Sequence, residues 1–430
     1  MYFQLKERFL RFFQERGHKI IASSSLLPKN DPSVLLTTAG MQQFKEYFTL
    51  KKDPLKDFGT QRVASCQKCF RTTDIEEVGD ERHLTFFEML GNFSFGPIGS
   101  DDPDDFSNSG YFKRSAIKWA LDFLVKELNL KIDYVTFFVG QDNIPQDQES
   151  YKILKELGFQ ESHLKGCSKE DNFWGPTGKE GPCGPTVEFY IDGIEVWNLV
   201  FNEYYCFPDG TLERLQSPGV DTGMGYERLL KVFEKKETIF QTSAFESIFK
   251  VLKPLIPQEN QGNIKDQRIL ADHLRGIVFL IADGLLPSNV GAGYVLRRII
   301  RRFLFKFKKL NLPAKSDKIL IQKVIEFYKL SYPEIDNFEK IYKVFEEEKE
   351  KFEAILERGI KIFEKEKERI IQDKAKGAFL LFSTYGFPLE LTKELLKEEK
   401  IFWTEEDQVR FEELFQEHRQ ISKHEEENNF

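Results

Sequence analysis

Between Arg62 and Phe95 the chain reads RVASCQKCFRTTDIEEVGDERHLTFFEMLGNFSF, two apolar runs around a charged, turn-rich centre. Such a pattern reads as two strands joined by the loop Thr72–Glu81, an antiparallel hairpin that commits the fold to a sheet. Arg71 ends the first strand. Arg82 and His83 begin the second, followed at four-residue spacing by Phe86 and Phe87. Side chains alternate along a strand, so Arg82 shares a face with Phe86, and His83 shares the other with Phe87. Either register sets a cation beside an aromatic ring. A ligand carrying both phosphate and a purine suits that pair, because arginine forks onto phosphate oxygens and stacks on planar bases. ATP is the obvious candidate. A buried hairpin with solvent-facing arginines is the plainer alternative, and the motifs further along decide between the two.

A chain of 430 residues has room for two or three domains. With 40% hydrophobic and 31% charged residues it has the composition of a soluble globular protein. No apolar run approaches the length of a membrane span, and the N-terminal MYFQLKERFLRFFQERG is amphipathic with acidic residues, unlike a signal peptide. A cytoplasmic protein with no membrane partner is therefore expected. The net charge of −8 excludes bulk affinity for nucleic acid, so any RNA contact has to come from a local patch. Five irregularly spaced cysteines predict reduced thiols. Cys66-x-x-Cys69 has no second pair at ligand spacing, so no zinc is expected.

Residues 3–16 carry the broad apolar stripe of a core-facing helix closed by Gly17, and Val34–Thr38 reads as a Pro-bounded core strand. The acidic, Gly/Pro/Ser-rich stretch Pro97–Gly110 predicts a mobile surface tip. Helix Lys113–Leu128, strand Tyr134–Val139 and helix Gln148–Leu157 follow. DNFW at 171–174 and GPCGPTVEFY at 181–190 then place Glu188 on a strand behind Gly/Pro loops. In the alternating strand Ile194–Tyr205, Asn198 is a polar residue that has to find a partner. GVDTGMGYERLLKVF at 219–233 is a strand, a glycine turn and a helix that presents Arg228 from its first turn. Prolines and a polar run then mark a boundary, and nearly everything beyond is helical. Tyr294–Lys309 carries Arg297, Arg298, Arg301, Arg302, Lys306, Lys308 and Lys309 with no acidic residue, the local patch a phosphate backbone needs. Phe338–Ile371 reads as one long charged helix.

SSSLLPKNDPSVLLTTAGMQQF, TFFEMLGNFSF, the DNFW and GPCGP stretches, IEVWNLVFNEYY, DTGMGYER and LLFSTYGFP, in this order, resemble the alanyl-tRNA synthetases, a family of class II aminoacyl-tRNA synthetases. The resemblance implies an α+β fold in which an antiparallel sheet flanked by helices forms a catalytic domain over residues 1–245. An all-helical domain over 246–430 would then recognise the tRNA acceptor stem. It implies an alanine–tRNA ligase that activates L-alanine with ATP to alanyl-adenylate and transfers it to the 3′ end of tRNA(Ala). A synthetase-like ligase passing alanine to a non-RNA acceptor is the alternative. Arg71, Arg82, His83 and Arg228 would act on the phosphates, and Phe87 would carry the adenine, with Phe86 instead if the register differs. Glu188 and Asn198 would hold Mg²⁺ with ATP, while Trp174, Val200, Asp221 and Gly223 would bind alanine. For tRNA the resemblance points to Asn289, Arg297, Arg298, Arg301, Arg302 and Ser383. Departures are visible: Thr186 and Val187 replace a usual Cys and Ser, the loop Thr72–Glu81 lacks a Gly-Gly-Lys-His run, Ala292 replaces an arginine, and Ser383 stands where an acidic residue is usual. A methyl-sized pocket cannot reject glycine by more than about 1–3 kcal/mol, and it is poor at excluding serine. With no editing region in the 430 residues, a separate editing protein and a monomeric state are expected.

Overall fold

The computed structural model describes residues 1–427 apart from 29, 30, 32, 33 and 177. Part of the SSSLLPKNDPSVLL segment therefore lies outside the described residues. The strands are β1 (Lys19–Ile21), β2 (Arg62–Phe70), β3 (Phe86–Ser94), β4 (Tyr134–Phe138) and β5 (Leu164–Cys167), followed by β6 (Phe173–Trp174), β7 (Gly181–Ile191), β8 (Ile194–Cys206) and β9 (Leu212–Gly225). They form one sheet in the order β1-β2-β3-β9-β8-β7-β4-β5, with β6 paired to β7. Only β1 with β2 and β4 with β5 run parallel.

Before the third strand of the main sheet stand α1 (Tyr2–Gln14), α2 (Lys45–Phe48) and α3 (Pro54–Phe58). Within the strands come α4 (Lys113–Leu121), α5 (Gln148–Glu156) and α6 (Lys169–Asn172). After them follow α7 (Tyr226–Phe233), α8 (Ser243–Leu255), α9 (Ile264–Ala282), α10 (Gly291–Lys309) and α11 (Ser316–Tyr328). The last are α12 (Phe338–Lys365), α13 (Lys367–Gln372), α14 (Lys374–Tyr385), α15 (Leu389–Glu398) and α16 (Glu405–Glu427). This is the α+β architecture expected, with a mostly antiparallel sheet followed by helices.

All nine residues of β2 are buried, so the sheet is covered on both faces. One face takes the apolar stripe of α1, where Phe9 packs on Trp197 and Phe123 with ring centroids 5.7 and 5.3 Å away. The other face carries Asn198, Val200, Asp221 and Gly223, and its far end is roofed by Met41, Phe44 and Phe48 from the segment around α2. The helical half grips the sheet through α9. Asp272 accepts from Thr85 N and Oγ1 at 2.9 and 2.5 Å. Asp283 pairs with Lys68 at 2.8 Å and accepts from Leu26 N at 2.6 Å, and Arg275 pairs with Glu227.

Four local expectations are corrected. Val34–Thr38 is irregular chain, not a strand, and its Thr37 N bonds back to Leu26 O at 2.9 Å. The predicted helix Phe338–Ile371 breaks at Glu366 into α12 and α13. The acidic stretch 97–110 is a strap with defined partners. Asp101 accepts from Phe112, Arg114 and Ser115 N at 2.9, 2.9 and 3.1 Å, capping α4, and Trp119 Nε1 donates to Pro103 O at 2.9 Å. The fourth concerns the basic run of α10, which is neutralised. Carboxylates from neighbouring helices and the β2–β3 loop converge on it: Arg297 and Arg301 meet Glu348 at 3.2 and 2.9 Å, Arg298 meets Glu76, and Arg302 meets Glu394. Lys306 and Lys309 share Asp266 at 3.1 and 3.0 Å, and Lys308 meets Glu357 at 2.8 Å. Helix α8 runs across residue 245, the position at which the sequence suggests a domain boundary.

Candidate active site

Four strands and the start of α7 enclose a cavity of about 300 Å³ that brings together Arg71, Arg82, His83, Phe87, Trp174, Asn198, Gly223 and Arg228. Arg71 lies one residue past β2, where its N–H bonds to Thr85 O at 2.9 Å and its guanidinium stands 4.9 Å from the centre of the Phe87 ring. Phe87 faces the cavity, whereas Phe86 is fully buried and stacks on Phe279 at 4.2 Å. Of the two registers, the one that exposes Phe87 is observed.

Arg82 and His83 do not begin β3 as expected. They sit in the turn before it, because Asp80 Oδ1 accepts from both of their amides, at 3.0 and 2.8 Å, and its other oxygen lies 2.6 Å from His83 Nδ1. Their side chains reach the cavity through this Asp80-centred turn, and the strand-face argument does not apply to them.

On β8, Asn198 pairs across to Glu188 on β7 and to Gly223 on β9. Asn198 Nδ2 donates to Glu188 Oε1 at 2.9 Å, and Tyr190 OH donates to Oε2 at 2.9 Å. Burial, and then the nearby Glu195 carboxylate, push Glu188 up to about 7. Asn198 Oδ1 is buried with no protein partner among the described residues. A hard cation fits these groups, since Mg²⁺ takes one or two protein oxygens and completes its shell from phosphate and water. At Gly223 an added Cβ would lie 3.0 Å from Met89 Sδ, so glycine keeps the floor open.

Two steps along the same face, Val200 stands opposite Asp221. Asp221 is 6% exposed, and burial alone pushes it up to about 7, with no cation pairing it among the described residues. A buried carboxylate in that state is a receptor for an ammonium group. Arg228, at the start of α7, is held by Glu195, with Nη1 3.0 Å from Oε2 and 3.2 Å from the backbone oxygen.

Glu195 and Glu227 also line the cavity, and sequence reasoning missed both. Strict alternation puts Glu195, three residues from Asn198, on the opposite face. A bulge, where Phe189 pairs with Trp197 but Tyr190 pairs with Glu195, turns it back. Glu227 accepts from Glu88 N at 3.1 Å and pairs with the fully buried Arg275. Behind it, Glu88 receives Lys6, Tyr2 and Tyr332. Burial together with Glu227 pushes Glu88 up to about 8.

The residues expected at tRNA lie elsewhere, on the helical half. Asn289 is exposed and accepts from Arg297, and Ser383 is exposed with its hydroxyl turned back onto Phe379 O at 2.7 Å. Arg302 is 4% exposed and fixed among Glu394, Ile75 O and His273, so it serves the fold.

Similarity places this geometry among known proteins. Alanine–tRNA ligase of Rubrobacter xylanophilus is 39% identical over 433 residues, covering 93% of this chain and 47% of that protein. The Borrelia hermsii alanine–tRNA ligase is 37% identical over 98% of this chain and 72% of its own length. The chain thus spans about half the length of most such relatives. An aspartyl tRNA synthetase from Entamoeba histolytica superposes at a TM-score of 0.33 with 14% identity over 57% of each chain, too distant to bear on the site. The family description "tRNA synthetases class II (A)" matches residues 4–430, and the chain belongs to that family.

Proposed function

We propose that this chain activates L-alanine with ATP and passes the alanyl group to the 3′ end of tRNA(Ala). The observation that carries this reading is the convergence of Arg71, Phe87 and Arg228 on one cavity, with an unpaired buried carboxylate, Asp221, further in on the same sheet face. In the first step the alanine carboxylate attacks the α-phosphorus of ATP and pyrophosphate leaves. In the second, a terminal ribose hydroxyl attacks the mixed anhydride and AMP leaves. Such chemistry needs alignment and charge neutralisation more than a protein nucleophile.

Arg71 would fork onto the carboxylate and α-phosphate while its far side lies against Phe87, where the adenine stacks. Arg228 would exchange Glu195 for the outer phosphates, with Arg82 and His83 entering from the Asp80 turn. Asp221 would hold the ammonium, and Trp174 and Val200 would wall the methyl group. Glu188 and Asn198 would hold Mg²⁺, which when bound neutralises phosphate charge. Residues 246–430 would dock the acceptor stem, with Asn289 and Ser383 near the reading position and the partly exposed Arg297, Arg298 and Arg301 on the backbone. A cytoplasmic, monomeric enzyme, corrected by a separate editing protein, completes the reading.

The test is charging of a minimal acceptor-stem RNA with labelled alanine, comparing G·U with G·C at its third base pair. Charging of the G·U stem supports the reading; failure of both charging and alanine-dependent pyrophosphate exchange removes it. Exchange without charging would favour a second reading, in which alanine is passed to a non-RNA acceptor. The neutralised cations of α10 are the observation behind that alternative.

A further inference from the structure

Arg71 is held from behind by a buried chain of hydrogen bonds that begins on the outer helices. Its N–H donates to Thr85 O at 2.9 Å, one step past the last β2–β3 pair, Phe70 with Phe86. Thr85 is fixed in turn by Asp272 on α9, whose carboxylate accepts from the Thr85 amide at 2.9 Å and from its hydroxyl at 2.5 Å. His273 Nδ1 stands 2.9 Å from the same carboxylate, and its Nε2 stands 3.2 Å from Arg302 Nη1 on α10. Arg302 also donates to Ile75 O, in the loop between Arg71 and Thr85, and to Glu394 on α15. Thr85, Asp272 and His273 are fully buried, and Arg302 is nearly so. These neighbours fix the tautomer: a carboxylate only accepts and a guanidinium only donates, so Nδ1 carries the proton and Nε2 accepts. Burial, opposed by Asp272 and reinforced by Arg302, pushes the imidazole pKa down and keeps the ring neutral.

Packed hydrocarbon of similar volume often stabilises a fold as well as a buried ion relay does. What hydrocarbon lacks is direction, and this relay directs one carbonyl. We propose that Asp272 and His273 are positioning residues for alanine activation, setting the Thr85 carbonyl and through it Arg71, with Arg302 tying that setting to α15. The proposal rests on the function proposed above. Thr85 O pins the chain leaving β2 just where it delivers Arg71, whose guanidinium then stands 4.9 Å from the centre of the Phe87 ring. A displacement of about 1 Å at a group that aligns the reacting atoms costs up to about a hundredfold in rate. Because the contact to the α-phosphate is worth most in the transition state, the loss should fall on kcat rather than KM.

The test is ATP–pyrophosphate exchange with alanine on the whole chain, with kcat and KM read separately and set beside thermal melts. His273→Leu fills the space but leaves Asp272 and Arg302 without the ring between them, so kcat should fall about tenfold or more with both KM values held within about twofold. His273→Asn restores a donor where Nδ1 stands and should recover most of kcat, although its smaller side chain leaves a cavity and lowers the melting temperature. Thr85→Val removes only the hydroxyl bond to Asp272 and should lower kcat several-fold; it decides alone if His273→Leu does not fold. A His273→Leu or Thr85→Val kcat equal to wild type, an asparagine variant no more active than the leucine one, or a loss carried by KM overturns the proposal and leaves the relay as core packing. Absence of alanine exchange in the wild type would instead overturn the function on which the proposal rests.

Discussion

Lowering the pH should remove alanine activation by protonating Asp221. Burial pushes this carboxyl up to about 7, against about 3.9 in an unfolded chain, and no cation offsets it before substrate arrives. The kcat/KM for alanine, taken at saturating ATP and Mg²⁺ so that Glu188 is already engaged, follows the free-protein carboxyl. The competent fraction falls about tenfold per pH unit below 7, equivalent to about 1.4 kcal/mol each, which gives about a hundredfold loss at pH 5. Once the ammonium is seated it holds the carboxylate ionised, so the acid limb of kcat should lie well below that of kcat/KM. Asp221→Asn should abolish the limb and lower alanine kcat/KM by about a hundredfold or more. The linked stability has the opposite sense. A carboxyl raised in the fold stabilises below its unfolded value, and that stability is lost as pH rises through about 7. Melting of the ligand-free protein should therefore weaken from pH 4 to 8, and alanine should offset the loss at the alkaline end. Pyrophosphate exchange and thermal melts across this range test both statements. An alanine kcat/KM that stays flat from pH 8 to 5.5 would refute the reasoning.

Three further outcomes are expected. Arg275→Met leaves Glu227 buried without its cation and should cost about 3–5 kcal/mol in urea unfolding, most of it recovered when Glu227→Gln is added; a cost under about 1 kcal/mol would show the pair to be dispensable. Glu195→Gln frees Arg228 from a half-exposed ion pair, so KM for ATP should fall several-fold with stability changed by less than about 1 kcal/mol, and an unchanged or higher KM contradicts the exchange of partners. Burial pushes Glu394 up, but Arg302 and Lys306 outweigh it and hold the carboxyl down to about 2. Its stabilisation is thus present above its unfolded value and lost as pH falls through about 2. Glu394→Gln should cost about 3 kcal/mol at neutral pH, and loosening of α15 against α10 should be visible by hydrogen exchange.

Residues whose position is set by the backbone were legible in the sequence. Gly223 and Arg228 follow from a glycine turn and a helix start, and Asn198 stands out as a polar residue in an alternating strand, whereas Asp221 and Val200 came forward only through the family resemblance. What the sequence hid depends on irregularity or on distant partners. A bulge no pattern announces brings Glu195 to the site. Asp80 bends the chain so that Arg82 and His83 leave the strand register. The run on α10 shows only cations, because the carboxylates that neutralise it stand as far away as Glu76 and Glu398. The strap at 97–110 looks like a loose loop until its acidic residues find the amides of α4.

Helix α9 gives these irregularities a shared anchor. Arg268 donates to the oxygens of Gly79 and Asp80 at 3.3 and 3.0 Å, Asp272 fixes Thr85, Arg275 meets Glu227, and Asp283 meets Lys68. Three residues of α9 and its C-terminal cap Asp283 thus act as a back plate bolted to the sheet and to the wall of the cavity. Tyr332, further along, reaches the same wall at Glu88. A fragment cut at residue 245 would lose every one of these bolts, so on the proposed function it should form adenylate more weakly than one that runs through Tyr332. If the outer helices dock RNA as proposed, they have a mechanical route to the chemistry, because displacement of α9 moves the turn carrying Arg82 and His83.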